Sequence, residues 1–187
     1  EISLGLVGSE MCIRDRITGE YKGRRLYAPD NDDIRPTSDK VKEALFSMIA
    51  FDLEEAVCVD LFAGTGNLGL EALSRGAGKC YFCDNSKEAL NIIRKNIAHC
   101  GAEHRSAVLP GDFRKGIGRI KEKADFIFAD PPYDSGLYDK IFETVEETGL
   151  LKDDGLIIAE HWHTMEMADK ICGFVKVKER KLSLIHI

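Results

Sequence analysis

The stretch Ala56-Val-Cys-Val-Asp-Leu-Phe-Ala-Gly-Thr-Gly-Asn-Leu-Gly69 decides the fold. Its first six residues are apolar apart from Asp60, which is typical of a buried strand. Three glycines follow at Gly64, Gly66 and Gly69, where a helical pattern begins. A strand that ends in a glycine-rich turn and leads into a helix is how the ligand-binding loop of an open α/β sheet begins. The stretch therefore predicts the first strand, the first ligand-binding loop and the first helix of such a sheet.

The rest of the chain alternates strand and helix patterns. This alternation predicts an α/β fold with a mostly parallel sheet and helices on both faces. Upstream of it, we expect a small hairpin over 16–29 and an amphipathic helix after Arg35-Pro-Thr-Ser38. The predicted strands span 56–61, 79–84, 106–109, 124–129, 155–159 and 174–178, and the predicted helices span 67–75, 86–99, 113–121, 137–149 and 164–172.

Length and composition describe one soluble globular domain. The chain has 187 residues, a net charge of −6 and 44% hydrophobic residues, and no apolar run approaches the roughly 18 residues that cross a bilayer. Cys80 and Cys83 have the spacing of a metal or redox motif, but on a strand they face opposite sides, so we interpret them as structural. Scattered cysteines favour a reducing, cytoplasmic compartment. Residues 1–15 and 182–187 resemble translated sequencing-adapter sequence, so we expect them to be non-native.

The glycine loop alone leaves the cofactor open. Gly64-x-Gly66-x-x-Gly69, with Asp84 ending the next strand, matches the dinucleotide fingerprint. An acid at that place can accept hydrogen bonds from ribose hydroxyls, which NAD and S-adenosylmethionine both carry. Asp60 distinguishes them, because its charge would repel a pyrophosphate but attract a sulfonium and an ammonium group. We therefore favour S-adenosylmethionine.

A second motif, Asp130-Pro-Pro-Tyr133, follows the fourth predicted strand. Pro131 and Pro132 donate no backbone hydrogen bond, so the backbone there can only accept. Asp130 and a neighbouring carbonyl could each accept one N–H of an exocyclic amine, freeing its lone pair for a methyl carbon. Tyr133 could stack on the base. The motif therefore predicts methylation of a nucleobase amino group.

With both motifs, the chain resembles the amino-methyltransferases of class I, and in particular the bacterial 16S rRNA guanine-N2 methyltransferases of the RsmD type. The resemblance covers about 16–181, with a hairpin and helix at 16–52 and a methyltransferase domain at 53–181. It rests on Ile17-Thr-Gly-Glu-Tyr-Lys-Gly-Arg-Arg-Leu26, Arg35-Pro-Thr-Ser-Asp-Lys-Val-Lys-Glu-Ala-Leu-Phe46, Asp60-Leu-Phe-Ala-Gly-Thr-Gly66, Gly69-Leu-Glu-Ala-Leu-Ser-Arg-Gly-Ala77 and Asp130-Pro-Pro-Tyr133.

The resemblance implies methyl transfer to the N2 of a guanine in the small ribosomal subunit or its assembly intermediate, by a monomer without a metal. It also implies a Rossmann-like sheet of seven strands, although the tail at 182–187 leaves the last antiparallel strand lost or replaced. Asp112 has a second interpretation, as a helix N-cap. The implied cofactor-binding residues are Asp60, Phe62, Gly64, Thr65, Gly66, Asp84, Asn85, Asp112 and Phe113, and the implied catalytic residues are Asp130, Pro131 and Tyr133.

Charge is distributed unevenly. Residues 14–27 and 111–123 each carry five basic and two acidic side chains, whereas 139–169 carry two basic and nine acidic ones. We predict that Lys22, Arg24, Arg25 and Arg35 contact RNA phosphates, the alternative being an ordinary solvated surface.

Three other functions stay open. A DNA adenine-N6 methyltransferase would share Asp-Pro-Pro-Tyr, but such enzymes generally carry a separate target-reading region. An NAD-dependent oxidoreductase is supported only by the glycine spacing. A non-catalytic rRNA-binding protein is disfavoured by the intact Asp130-Pro-Pro-Tyr133.

Overall fold

The computed structural model describes residues 13–16, 19–28, 39–132, 136–162, 164–182 and 185–186. The N-terminal part consists of a hairpin and a helix. Strand β1 (Ile13–Arg16) pairs antiparallel with β2 (Arg25–Tyr27), with a short 3-10 turn at Gly19–Tyr21 between them, and helix α1 spans Asp39–Met48. A hairpin and the helix that follows it are therefore present, but the first strand of the hairpin lies at Ile13–Arg16, ahead of the predicted 16–29 and largely within the segment expected to be non-native.

Five parallel strands form the main sheet, in the order β5-β4-β3-β6-β7. The order reverses between β3 and β6, which is the switch point where ligands bind in such sheets. The strands are β3 (Val57–Asp60), β4 (Lys79–Asp84), β5 (Ser106–Pro110), β6 (Ala124–Ala129) and β7 (Leu151–Ala159), and the helices that follow are α2 (Asn67–Ser74), α3 (Lys87–Cys100), α4 (Phe113–Ile117) and α5 (Tyr138–Thr148).

Alternate residues of the strands face two separate cores. Cys80 and Phe82 pack in the core that also contains α1, α2 and α3, whereas Tyr81 and Cys83 pack in the core under α4 and α5. The predicted sheet with helices on both faces is thus confirmed. Cys80 and Cys83 are buried on opposite faces with free thiols, as expected for structural residues.

The region after β7 departs from the prediction. Residues 164–182 contain no helix, so the helix predicted at 164–172 is wrong, and the strand predicted at 174–178 is only two residues long. That strand, β10 (Phe174–Val175), pairs with β9 (Lys170–Ile171) instead of joining the sheet. The reason is a turn at Cys172 and Gly173, where Cys172 adopts φ +52, so this segment folds back on itself.

A separate small sheet contains the last described residues. Strand β12 (Ile185–His186) pairs antiparallel with β8 (His161–Trp162) and with β11 (Lys181–Leu182). Although β8 follows β7 after Glu160 alone, strands β8, β12 and β11 form a sheet of their own, so no described strand extends the main sheet beyond β7. Within the described ranges the main sheet has five strands rather than the expected seven.

Candidate active site

The loop between β3 and α2 takes its shape from glycine. Gly64 and Gly66 have φ +54 and +82, a conformation that other residues adopt only at a cost. Gly69 is required for a different reason, because a Cβ there would lie 2.3 Å from Cε1 of Phe82 and 2.7 Å from Sγ of Cys80. The three glycines therefore turn the chain sharply and bring α2 directly against β4.

Asp84 connects this loop to the end of β4. Its two carboxylate oxygens accept hydrogen bonds from the backbone N–H groups of Gly64 and Ser86, each at 2.8 Å. A carboxylate has about four acceptor positions, so the half-buried side chain keeps capacity for hydroxyl donors. The neighbouring Asn85 is exposed. The predicted ribose acceptor thus lies beside the glycine loop.

Asp60 is enclosed by the loop that it precedes. The side chain is 2% exposed, and Oδ2 accepts the backbone N–H of Gly69 at 3.1 Å in the first turn of α2. Burial raises the pKa of Asp60 from 3.8 to about 7, with a smaller contribution from Asp84, while the N–H groups of Gly69 and Phe62 oppose the rise. Asp60 therefore stabilises the conformation of the loop. When ionised, it also places a buried negative charge beneath the loop, and this charge destabilises the folded protein.

Asp112 and Phe113 lie at the end of β5. Asp112 is the N-cap of α4, accepting the backbone N–H of Arg114 at 3.0 Å, and it also pairs with that guanidinium at 2.8 Å. Its alternative interpretation as a helix cap is thus correct, and binding of adenine by Asp112 stays a prediction. Phe113 is buried, with its ring centroid 5.6 Å from that of the half-buried Phe62. The two rings form an apolar surface beside the glycine loop.

Asp130 follows β6, on the strand next to β3. Asp60 pairs with Phe128 in the sheet, so Asp130, two residues further, faces the same side. Burial raises the pKa of Asp130 well above its usual range, and the charges of Glu160 and Asp60 raise it further. Pro131 is buried, and Tyr133 lies outside the described residues. The two motifs recognised in the sequence therefore meet at the switch point of the sheet.

Glu160 is a second carboxyl group beside Asp130, and it is not among the site residues predicted from the sequence. Ala129 pairs with Ala159, and the N–H of Glu160 donates to the carbonyl of Ala129 at 3.0 Å, so Asp130 and Glu160 occupy adjacent strand ends. Glu160 is 3% exposed. Tyr138 donates its hydroxyl to the carbonyl of Glu160 at 2.5 Å. An acid directly after a strand was the available signal, as it was for Asp60 and Asp130.

The N-terminal hairpin is connected to the glycine loop through Asn96. Its amide accepts the N–H of Tyr27 at 2.8 Å and donates to the carbonyls of Tyr27 and Thr65 at 3.0 and 2.8 Å. Thr65 takes part in this contact through its backbone carbonyl, and the residue itself is buried. These bonds couple the hairpin to the loop.

The hairpin presents the predicted RNA-contacting residues outward. Lys22, Arg24 and Arg25 are all exposed, and Arg24 also donates to the carbonyl of His99. Arg35 lies outside the described residues. Contact of these side chains with RNA stays a prediction.

A separate cavity of about 670 Å³ lies between α5, β7 and the β9–β10 hairpin. Its lining includes His161 but neither Asp60 nor Asp130, so it is distinct from the site described above. Within the described ranges, no three His, Cys, Asp or Glu side chains are grouped so that they could hold a metal ion. The helices among these residues are too short or too polar to cross a bilayer.

Known proteins match the chain along most of its length. The model of the family described as Conserved hypothetical protein 95 matches residues 16–187. Ribosomal RNA small subunit methyltransferase D of Escherichia coli (strain K12) is 35% identical, over 77% of this chain and 72% of the relative. YlbH of Bacillus subtilis (strain 168) is 34% identical, over 91% and 95%.

Among solved structures, yhhF from Escherichia coli is similar with a TM-score of 0.79 and 29% identity, covering 93% of this chain and 94% of that one. The glycine loop and the strand-end carboxyl groups thus occur in a chain whose fold is similar to that of a solved structure over 93% of its length. The chain belongs to the Conserved hypothetical protein 95 family, that is, to the RsmD-type methyltransferases.

Proposed function

We propose that this chain transfers a methyl group from S-adenosylmethionine to the exocyclic N2 of a guanine in the 16S rRNA of the small ribosomal subunit. The observation that carries the proposal is the position of Asp130 beside the glycine loop, at the end of the strand next to β3 and on the face of Asp60. Membership of a methyltransferase family supports the reaction class, and the name of the Escherichia coli relative supports ribosomal RNA as the acceptor.

The residues around the glycine loop fit S-adenosylmethionine. Asp84 offers acceptors for ribose hydroxyls, and Phe62 with Phe113 offers an apolar surface for adenine. Asp60 adds negative charge beneath the loop, which favours a cation. When bound, the cofactor supplies a methyl group on a positively charged sulfur and leaves as a neutral thioether.

Asp130 would orient the guanine amine. Its carboxylate and the carbonyl of Pro131 accept the two N2–H donors, so that the nitrogen lone pair leaves the plane of the base and points at the methyl carbon. The N–C bond forms as the C–S bond breaks, the bonding pair stays on sulfur, and one proton leaves N2. Asp130 can accept this proton, since burial and Glu160 raise its pKa well above that of an ordinary aspartate.

The hairpin would hold RNA by its phosphates. Lys22 and Arg25 are exposed on a segment, 14–27, with five basic and two acidic residues. Such contacts position the nucleic acid without reading its sequence. The N2 amine of a paired guanine is inaccessible inside a stacked helix, so the target guanine must be unpaired or extruded.

Methylation of small subunits that lack the modification tests the proposal. The protein is incubated with methyl-labelled S-adenosylmethionine and, separately, such subunits, free 16S rRNA or duplex DNA. We expect label in rRNA, in N2-methylguanine after digestion. Label found only in DNA would overturn the substrate assignment.

Two variants test the assigned roles in the same assay. Asp130→Ala should abolish turnover and leave S-adenosylhomocysteine binding within about threefold, because only the amine contact is lost. Asp84→Ala should chiefly weaken that binding. If Asp130→Ala retained turnover, its catalytic role would be refuted.

A further inference from the structure

One fully buried asparagine of α3 bonds two separate parts of the chain. Oδ1 of Asn96 accepts the N–H of Tyr27, and Nδ2 donates one hydrogen to the carbonyl of Tyr27 and the other to the carbonyl of Thr65. Both hydrogens of the amide nitrogen are therefore used. The amide group is planar, so its atoms move together. A displacement of the hairpin at Tyr27 consequently also disturbs the bond to Thr65 in the glycine loop.

The hairpin has a second attachment, which lies away from the loop. The N–H of Tyr21 donates to Oγ of Ser74 at 2.8 Å, and Arg105 donates to the hydroxyl of Tyr21 and to the carbonyl of Leu73. Ser74 is the last residue of α2, whereas the glycine loop leads into its first residue. These eight residues of helix separate the two ends by about 12 Å. The bonds of Asn96 are thus the direct contact between the hairpin and the loop.

The glycine loop is held from two sides. The N–H of Gly64 donates to Asp84 at the end of β4, and the carbonyl of the next residue, Thr65, accepts from Asn96. Glycine loses more conformational freedom on ordering than any other residue, so a loop with Gly64 and Gly66 is costly to fix. A ligand that orders this loop therefore also favours the contact with Asn96 and, through it, the docked hairpin.

We propose that Asn96 is a positioning residue that couples cofactor binding at the glycine loop to docking of the N-terminal hairpin. The assignment rests on the proposed function, which places S-adenosylmethionine against the loop and RNA on the hairpin. Such coupling is reciprocal: if the cofactor favours the docked hairpin by a given factor, an undocked hairpin weakens the cofactor by the same factor. Cofactor binding would thus fix the position of Lys22 and Arg25, which the hairpin carries.

Hydrogen exchange measures this coupling in the full chain without RNA. Mass spectrometry follows the peptides that cover 19–28, with and without saturating S-adenosylhomocysteine. In wild type the ligand should slow exchange there about fivefold or more. In Asn96→Ala exchange should be faster, and the ligand should change it by less than about twofold, because the contact with Thr65 is lost. A purely structural role would speed exchange equally in both states and leave the wild-type ratio.

Three further variants separate coupling from general loosening. Asn91→Ala makes the same change at an exposed position of α3 and should keep the wild-type rates and ratio. Ser74→Ala loosens the hairpin at its other attachment, so it should speed exchange and keep the ratio. Asn96→Asp keeps the acceptor for Tyr27 but lacks both donors, so it should lose the ratio as Asn96→Ala does. If Asn96→Ala does not fold, the comparison rests on Asn96→Asp.

The outcomes distinguish this coupling from the proposed function. The wild-type ratio in the Asn96 variants, or its loss in Ser74→Ala as well, would overturn the role of Asn96. Wild-type protein that binds S-adenosylhomocysteine in a calorimetric titration without slower exchange at 19–28 would overturn the coupling alone. Wild-type protein that does not bind this ligand would overturn the proposed cofactor site and the coupling with it.

Discussion

Replacing Asp60 by asparagine should change the free energy of unfolding relative to wild type in a way that depends on pH. The variant should gain stability over wild type as the pH rises. Asp60 is buried, and its pKa in the folded protein is about 7 instead of 3.8. A raised pKa means that the folded state holds the proton after the unfolded state has lost it. The loss of wild-type stability caused by ionising Asp60 is therefore absent below about pH 4. It grows as the pH rises and is complete above about pH 7. The asparagine of the variant does not titrate and so avoids this loss.

The two pKa values set the size of the effect. At about 1.4 kcal/mol per pH unit, the difference between about 7 and 3.8 amounts to about 4 kcal/mol at pH 8. Roughly 1.5 kcal/mol of this is already present at pH 5. The stability of Asp60→Asn relative to wild type should therefore rise by about 2 to 3 kcal/mol between pH 5 and pH 8. Asparagine offers one acceptor fewer to Gly69 and Phe62, which adds an offset that does not depend on pH.

Urea unfolding at pH 5, 6, 7 and 8 measures this difference, with Asp52→Asn as the control at an exposed position. The control should show no trend. A constant gap between Asp60→Asn and wild type from pH 5 to pH 8 would refute the buried charge and, with it, the electrostatic argument for a cationic cofactor.

Three further changes test other parts of the account. Gly69→Ala should lower the free energy of unfolding in urea by about 1 to 3 kcal/mol, because its Cβ would overlap Phe82. The control Gly118→Ala meets only ordinary contacts and should change that free energy little. Equal effects of the two substitutions would contradict the packing argument. Lys22→Ala and Arg25→Ala should each weaken RNA binding and lower its salt slope by about 1; an unchanged slope would argue against phosphate contacts. Glu160→Gln should lower the pKa of Asp130 and move the acidic limb of the kcat profile to lower pH; a fixed limb would exclude that coupling.

The central strands could be predicted from the sequence because each is a short apolar run between turn residues. The strands at 79–84 and 124–129 have the predicted bounds. Helix α4 ends at Ile117 instead of 121, with Gly118 as its C-cap. The segment 164–172 was misassigned because an apolar pattern does not reveal that Cys172 and Gly173 form a turn, which commits the segment to a hairpin.

The carboxyl groups of the site could be found because strand ends converge in a parallel sheet. Asp60, Asp84 and Asp130 all end or directly follow strands, where the fold rule directs attention. Their contacts were not predictable. Asp60 turns out to bond the loop itself, and Asp84 supports Gly64.

Other site residues depend on contacts between distant parts of the chain. Asn96 joins Tyr27 to Thr65 across separations of 69 and 31 residues, and Ser74 accepts the N–H of Tyr21 across 53. No local pattern marks either residue as different from an ordinary helical side chain. Such partners emerge only when the helices are packed on the sheet.

The most direct test of the central claim measures methyl transfer and cofactor binding in the same two proteins, wild type and Asp130→Asn. The acceptor is the small ribosomal subunit lacking the modification, and the donor is methyl-labelled S-adenosylmethionine. The account predicts label in N2-methylguanine with wild type, none with Asp130→Asn, and similar S-adenosylhomocysteine affinity for both. Equal labelling by the two proteins, or no cofactor binding by wild type, would contradict it.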